Sequence, residues 1–449
     1  MRIIVIGCGK VGLALVEQLN SEGHDITVID NDSNRLKSAL SNLDVMTLVG
    51  DGTSYTTLVA AGVERADVVI AVMDSDETNL LCCVIAKKAS NCKTVARVRN
   101  PIYNGEIDFF KRELDLGLIF NPEMTSAEEI ARLFNFPNAL RIDVFSNRKI
   151  ELVHYKIPAD SKLVGTKLMS LRSDYHCNLL VATVTRNDEV LIPGGDFVIA
   201  ENDILGVVAS RSEIHEFFRT FGVGTRKVSD VMIVGGGKIG YYLAHILIDS
   251  GIHVKIIEGR RERCEFLSSG IPDADIIFGD GTDRDLLVEE GLMNTSGFAA
   301  LTNIDEENIL LSLFARKYAQ KTITKINRIN FDEVINQLDL DTIINPNTIS
   351  TNLIIQYVRS LQYTMGSNIE NFRKLSDQAE ALEFVVTKKS EVVGIELADL
   401  KKKPNVLICC ITRGDKIIIP GGHDKIEVGD RVIVIHNGSE IHNLDDIME

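Results

Sequence analysis

The sequence repeats itself. Sliding the 449-residue chain along itself by about 228 positions aligns GCGKVG (7–12) with GGGKIG (235–240), and ITVID ending at Asp30 with VKIIE ending at Glu258. The same shift joins GDGT at 50–53 to GDGT at 279–282, and VIAVMDSDETN (69–79) to FAALTNIDEEN (298–308). It also joins FNPEMTS (120–126) to INPNTIS (344–350), and VTRNDEVLIPGG (184–195) to ITRGDKIIIPGG (411–422). Matches kept in one order at a near-constant offset mark a tandem duplication, with the join near 221–229. The fold is therefore built from two copies of one unit.

Each copy divides again. In the first, short Val/Ile-rich runs (RIIVI, ITVID, VMTLV, VVIAVM, TVARV, GLIF) alternate with helical segments such as VGLALVEQL. Runs apolar on both faces and separated by helices indicate a parallel sheet covered on both sides. The segments ELVHYKI, LLVATVT and DRVIVIH instead alternate apolar with polar and are accompanied by PGG turns, as in a small α+β domain. The expected class is α/β. Two doubly wound parallel-sheet domains, at 1–139 and 228–365, are each followed by a small α+β domain, at 140–222 and 366–449. Within this order MTSAEEIARLFNF (124–136) predicts an amphipathic helix capped by Thr125 or Ser126, a candidate dimerisation element.

In the first copy a GxGxxG loop follows a strand, opens a helix, and is answered by an acid at the end of the next strand, the arrangement of a Rossmann-like dinucleotide fold. Gly7 is expected to make the tight turn, Gly9 to admit a pyrophosphate, and Gly12 to permit close helix–strand packing, while Cys8, Lys10 and Val11 complete the loop and helix start. A helix N-terminus there presents free N–H groups to phosphate. Asp30, eighteen residues after Gly12, is placed to accept hydrogen bonds from ribose hydroxyls. A carboxylate disfavours a 2′-phosphate, so NAD(H), or a mononucleotide such as ATP or ADP, is expected over NADP(H). Asp51 and Gly52 belong either to adenine contact or to a capped turn in which Thr53 or Ser54 caps the next helix. Met73, Asp74 and Ser75 end the fourth strand and are expected to line the cofactor, whereas Asp76 and Glu77 suit the first turn of a helix without any ligand. Arg97 and Arg99, two apart on a predicted strand, point the same way and need a counter-charge: a dinucleotide phosphate or a partner-subunit carboxylate.

The second copy keeps Gly235, Gly236, Gly237, Lys238, Ile239 and Gly240, with Glu258 as the acid and Asp280 in its GDGT. It departs elsewhere: Lys325 and Asn327 replace the arginine pair, Asn303 replaces Asp74, and Arg260 and Arg261 follow the acid. Its site is expected to bind more weakly or to prefer another nucleotide.

Composition narrows the rest. A formal charge of −16 repels nucleic acid and anionic lipid as general surface partners. No apolar run approaches the ~18–20 residues that span a bilayer, and MRIIVIG is too short for a signal-peptide core. The eight cysteines show no metal-ligand spacing and lie mostly in apolar segments, as small core residues of a reduced, cytoplasmic protein do. Catalysis has no repeated apparatus. The small domains share only TRxDxxxIPGG, and His154, His176, His215, His245, His253, His423 and His436 have no counterpart in the other copy. Hydride transfer needs a proton donor or acceptor facing the nicotinamide, so an NAD-dependent oxidoreductase is the alternative reading, not the first.

VIGCGKVG, ITVID, GDGT, AVMDSDETN and RVRNP, with IPGG followed by a Gly-Asp or Asn-Asp turn in the small domains, resemble the peripheral TrkA subunits of Trk-type bacterial and archaeal potassium uptake systems. The resemblance covers essentially the whole chain and implies tandem regulator-of-potassium-conductance (RCK) units. It also implies NAD(H) and adenine nucleotides as regulatory ligands, and a membrane potassium-translocating partner of the TrkH or TrkG kind. Subunits assembled as a dimer or tetramer into a ring on the inner face of the cell membrane are implied as well.

Overall fold

The structure, a computed structural model, describes residues 1–40, 42–145, 150–175, 178–187, 189–221, 228–328, 335, 337–364, 368–375, 379–438 and 441–449. Most of the join expected at 221–229 lies outside these residues.

The first domain runs β1 (Arg2–Ile6), α1 (Lys10–Ser21), β2 (Asp25–Asp30), α2 (Ser33–Leu40), β3 (Met46–Val49), α3 (Tyr55–Ala60), β4 (Val68–Ala71) and α4 (Asp76–Ala89). It continues with β5 (Lys93–Arg97), α5 (Pro101–Asn104), α6 (Ile107–Glu113), β6 (Leu118–Phe120) and α7 (Pro122–Asn135). Every strand pair is parallel and the order is β3-β2-β1-β4-β5-β6. Chain order reverses beside β1, so the ends of β1 and β4 open the crevice where ligands of such sheets lie. Ile3, Ile4, Val5 and Ile6 are all buried, as expected of a central strand covered on both faces.

The first small domain contains β7 (Ala139–Phe145), β8 (Ile150–Lys156), α8 (Leu168–Ser173), β9 (Leu180–Arg186), β10 (Glu189–Leu191), β11 (Ile204–Ala209) and α9 (Arg211–Thr220). Its sheet, β10-β9-β11-β8-β7, is antiparallel. The second copy repeats both plans. Its large domain has β12 (Asp230–Val234), α10 (Lys238–Asp249), β13 (His253–Glu258), α11 (Arg261–Gly270), β14 (Asp275–Phe278), α12 (Arg284–Glu289), β15 (Gly297–Ala300), α13 (Asp305–Ala315), β16 (Lys321–Lys325), β17 (Thr342–Ile344) and α14 (Pro346–Thr364). Its small domain has β18 (Ile369–Lys374), β19 (Ala379–Val385), β20 (Val406–Arg413), β21 (Lys416–Ile418) and β22 (Arg431–Asn437). The strand orders, β14-β13-β12-β15-β16-β17 and β18-β19-β22-β20-β21, match those of the first copy.

Packing does not follow the duplication. One compact unit joins Met1–Ala131 with Val228–Val358, and the other joins Arg132–Lys227 with Arg359–Glu449. Like thus packs with like. In the first unit Asn121 Nδ2, just before α7, donates to the Tyr242 hydroxyl on α10 at 3.0 Å, and burial pushes that phenol up to about 12. The helix expected to dimerise the protein therefore begins against the other half of its own chain. It also begins earlier than expected. Asn121, not Thr125 or Ser126, supplies the cap, its Oδ1 accepting the Met124 N–H at 3.0 Å, while Ser126 Oγ donates back to the Pro122 carbonyl.

In the second unit the two antiparallel sheets share one core, in which Phe145, Ile150, Leu152 and Val208 meet Ala381, Cys409, Cys410 and Ile433. The repeated TRxD and Gly-Asp or Asn-Asp motifs pair with each other. Arg186 grips Asp203 through Nε and Nη2, both at 2.7 Å, and Arg413 grips Asp430 the same way at 2.8 Å. All described cysteines are free and buried, as core residues should be.

Candidate functional site

The glycine loop behaves as its spacing requires. Gly7 sits at φ +102°, a left-handed turn closed to larger residues, and a Cβ on Gly12 would lie 1.9 Å from the Gly7 carbonyl oxygen. A Cβ on Gly9 would meet nothing within 4 Å, so the middle of the loop faces open space. Lys10 begins α1 and is exposed, whereas Cys8 and Val11 are buried. The Cys8 thiol is pushed up by burial and by the charge of Asp30. The Asp30 carboxylate ties the loop to β2, its Oδ2 accepting the Cys8 N–H at 2.7 Å and its Oδ1 the Asp32 N–H at 2.9 Å.

These groups open onto a cavity of about 480 Å³, within the range of small-ligand sites. Of the residues singled out in the sequence, it gathers Gly7, Gly9, Asp30, Asp51, Gly52, Met73, Asp74 and Ser75. Thr78 at the start of α4 lines it too, as do Asn31 and Arg35 after β2. Arg35 was missed, although its recurrence as Arg263 in the second copy was a usable signal. Its guanidinium stands 3.6 Å from Asp30 Oδ2.

Asp51 makes a turn as well as lining the cavity. Its Oδ1 accepts both the N–H and the hydroxyl of Thr53 at 2.8 Å, which holds the carboxyl below its usual range, and Ser54 caps α3. Asp280 repeats this with Thr282.

Both guanidiniums of the arginine pair point to one place, the Met73–Asp74 segment after β4, as their spacing implied. Only Arg97 lies in β5, and neither arginine is among the cavity-lining residues. Arg97 Nη2 donates to the Met73 carbonyl at 2.5 Å and approaches Asp74 Oδ1 at 3.4 Å, while Arg99 Nη2 donates to the Asp74 carbonyl at 2.6 Å. Met73 and Asp74 line the cavity, so both guanidiniums brace its wall from behind. Burial and the neighbouring Arg99 lower the Arg97 pKa.

A second fixing group escaped the sequence reading. Asn79 is fully buried, and its amide bridges the Met73 N–H, the Met73 carbonyl and the Arg97 carbonyl at 2.8, 3.0 and 2.9 Å. Asn308 does the same for Thr302 and Lys325. Asp76 lies in the first turn of α4, and its carboxylate also accepts the Arg99 and Asn100 N–H groups, tying the helix to the chain after β5.

The second cleft copies this frame. Gly235 is at φ +106°, Gly237 faces open space, and a Cβ on Gly240 would lie 2.5 Å from the Gly235 carbonyl oxygen. Lys238 is exposed and Ile239 buried at the start of α10. Glu258 Oε2 accepts the Gly236 N–H and Oε1 the Arg260 N–H, each at 3.0 Å. Asn303 is exposed and accepts from Lys325 Nζ at 3.3 Å.

Two Rossmann-like sheets with glycine loops, the first opening onto a cavity, paired in one unit, and two small antiparallel domains, paired in another, define a tandem nucleotide-fold protein. The TrkA-N domain family matches residues 3–121 and 231–346, and the TrkA-C domain family matches 152–222 and 381–449. The chain belongs to the TrkA family. It is 32% identical over 449 residues to the Trk system potassium uptake protein TrkA homolog of Archaeoglobus fulgidus, covering 100% of both chains. It is 33% identical over 441 residues to the Trk system potassium uptake protein TrkA of Halomonas elongata, covering 97% of this chain and 95% of that one. These relatives are named as parts of a potassium uptake system, not as enzymes. The fold is similar to the crystal structure of the GsuK RCK domain (TM-score 0.64, 18% identity, 97% of this chain and 92% of that one). It is also similar to the GsuK channel bound to NAD (TM-score 0.63, 17% identity, 97% and 77%).

Proposed function

We propose that the protein is the cytoplasmic regulatory subunit of a Trk-type potassium uptake system, binding NAD(H) or ATP/ADP in its first cleft. The carrying observation is the cavity into which the open face of Gly9 and the carboxylate of Asp30 converge. Gly9 leaves room for a pyrophosphate, and the N-terminus of α1 favours its charge. Asp30 accepts ribose hydroxyls with its remaining lone pairs. Met73 and Asp74 present the strand end, held by Arg97, Arg99 and Asn79. Binding of NAD by a similarly folded channel supports the choice of ligand.

The nucleotide acts as a signal. It favours one of two arrangements of the assembly, and that preference changes how a membrane partner of the TrkH or TrkG kind conducts potassium. Among the described residues no helix is long and apolar enough to cross a membrane, which suits a peripheral position on the inner face of the cell membrane. Assembly into a dimeric or tetrameric ring is supported by Leu81 on α4 and Leu310 on α13, equivalent positions that are 49% and 69% exposed.

Calorimetric titration of the full chain with NAD, NADH, ADP, ATP and NADP, repeated with Gly9→Ala and Gly237→Ala, tests the reading. NADH or ATP should bind the wild type and lose the first site in Gly9→Ala. Heats indistinguishable from buffer for every nucleotide would sink it. Hydride chemistry has its own check: NADH absorbance should hold steady with candidate acceptors.

A further inference from the structure

The two clefts share a frame and differ where the adenosine ribose would lie. In both, one carboxylate oxygen receives the glycine-loop N–H and the other receives the N–H two residues after the acid. In the first cleft that later residue is Asp32, its Oδ1 fixed by the N–H groups of Asn34 and Arg35 at 2.9 and 3.2 Å. A second negative charge is thus anchored beside Asp30. In the second cleft the same position is Arg260, whose Nε donates to Glu258 Oε1 at 3.2 Å while its side chain stays 72% exposed. Arg261 follows, where the first copy has Ser33, and stacks on the Phe278 ring with 5.0 Å between guanidinium carbon and centroid. Phe278 ends β14 and is 52% exposed, where the first copy has Val49. From acid to sixth residue, the first copy carries two carboxylates to one guanidinium and the second two carboxylates to three.

We infer that the second cleft selects an adenine nucleotide carrying an additional phosphate on the ribose 2′-oxygen, with Arg260 and Arg261 as its specificity determinants. The inference rests on the reading of the glycine-loop clefts as nucleotide sites. Glu258 carries the same two backbone bonds as Asp30 and differs in the bond from Arg260 Nε, which offsets its charge where the phosphate would come. Arg263 donates to the carbonyls of Gly236 and Gly237 at 2.6 and 3.2 Å, so it positions the loop and leaves recognition to the two exposed guanidiniums. A planar fork suits phosphate oxygens, and Arg261 on an aromatic face is held ready for one.

The test titrates the full chain carrying Gly9→Ala, which silences the first cleft, with NADP+, NAD+, 2′,5′-ADP and 5′-ADP. NADP+ should bind at least tenfold tighter than NAD+, and 2′,5′-ADP tighter than 5′-ADP. Arg260→Asp with Arg261→Ser, the first copy's residues, should remove or reverse both preferences, and Arg260→Gln should weaken them. Equal or tighter binding of NAD+, an unchanged ratio in the double variant, or no binding at this cleft overturns the inference. Titrating the otherwise wild-type chain carrying Gly237→Ala with NADH reads the first cleft alone. Binding there upholds the general reading whichever way the second cleft falls.

Discussion

Gly9 and Gly12 are separated by one helical turn and do different work. At Gly12 a methyl group meets the Gly7 carbonyl oxygen at 1.9 Å, so Gly12→Ala must shift backbone and should cost about 1–3 kcal/mol. At Gly9 nothing lies within 4 Å, so Gly9→Ala should keep the melting temperature yet weaken nucleotide binding at least tenfold, about 1.4 kcal/mol. Thermal denaturation beside calorimetry separates the two; matching behaviour of both variants would contradict the assigned roles. His436 is a residue of another kind. It is buried in β22, burial pushes its pKa down to about 4, and among the described residues neither ring nitrogen has a hydrogen-bond partner. The native state therefore prefers neutral imidazole, and the unfolded chain takes up the proton first. Stability from this residue is full above about pH 6.5 and is lost as pH falls towards 4, on the order of 3 kcal/mol at most. Glu380 Oε2, 3.7 Å from Nε2, reduces that loss. Denaturant melts of wild type and His436→Leu between pH 7 and 4 should diverge in slope, and parallel slopes would refute the assignment.

At the scale of elements, the strand–loop–helix joints were readable because their chemistry is local. GxGxxG, the acid at the end of β2, and GDGT each depend on neighbours a few positions away, and each recurs. The arginine pair was legible in direction only: both guanidiniums reach the Met73–Asp74 segment, but β5 ends at Arg97 and spacing along a strand does not name what they meet. The groups that meet these arginines, the carbonyls of Met73 and Asp74, arrive from another strand end and leave no mark in spacing. Asn79 was hidden for the same reason, since a buried amide bridging β4 to β5 looks like any helix residue. Its contribution can be measured. Asn79→Ala strands the Met73 and Arg97 backbone groups, should cost about 2–3 kcal/mol, and should loosen the cleft enough to lower nucleotide affinity. Asn308→Ala should cost a similar amount while leaving the first cleft's affinity unchanged. Equal loss of affinity in both would place the asparagines in a common framework.

At the scale of the whole chain, duplication predicted four domains in order but not how they associate. The two large domains belong to one compact unit and the two small domains to the other; the small domains share an apolar core, and Asn121 meets Tyr242 between the large ones. Tyr242 meeting Asn121 has no local signal; Ala14 stands at the equivalent position of the first copy. Joining both clefts in one unit gives a ligand at either the means to bias the same packing, a reason for a chain to carry the fingerprint twice without repeating a catalyst. The central claim is that the nucleotide is a signal. Potassium flux into liposomes holding the membrane partner and this chain tests it most directly, read with and without saturating NADH and ATP, in wild type and Gly9→Ala. The account predicts a nucleotide-dependent change in flux that disappears in Gly9→Ala, with no NADH consumed. Flux that ignores both nucleotides in the wild type would contradict it.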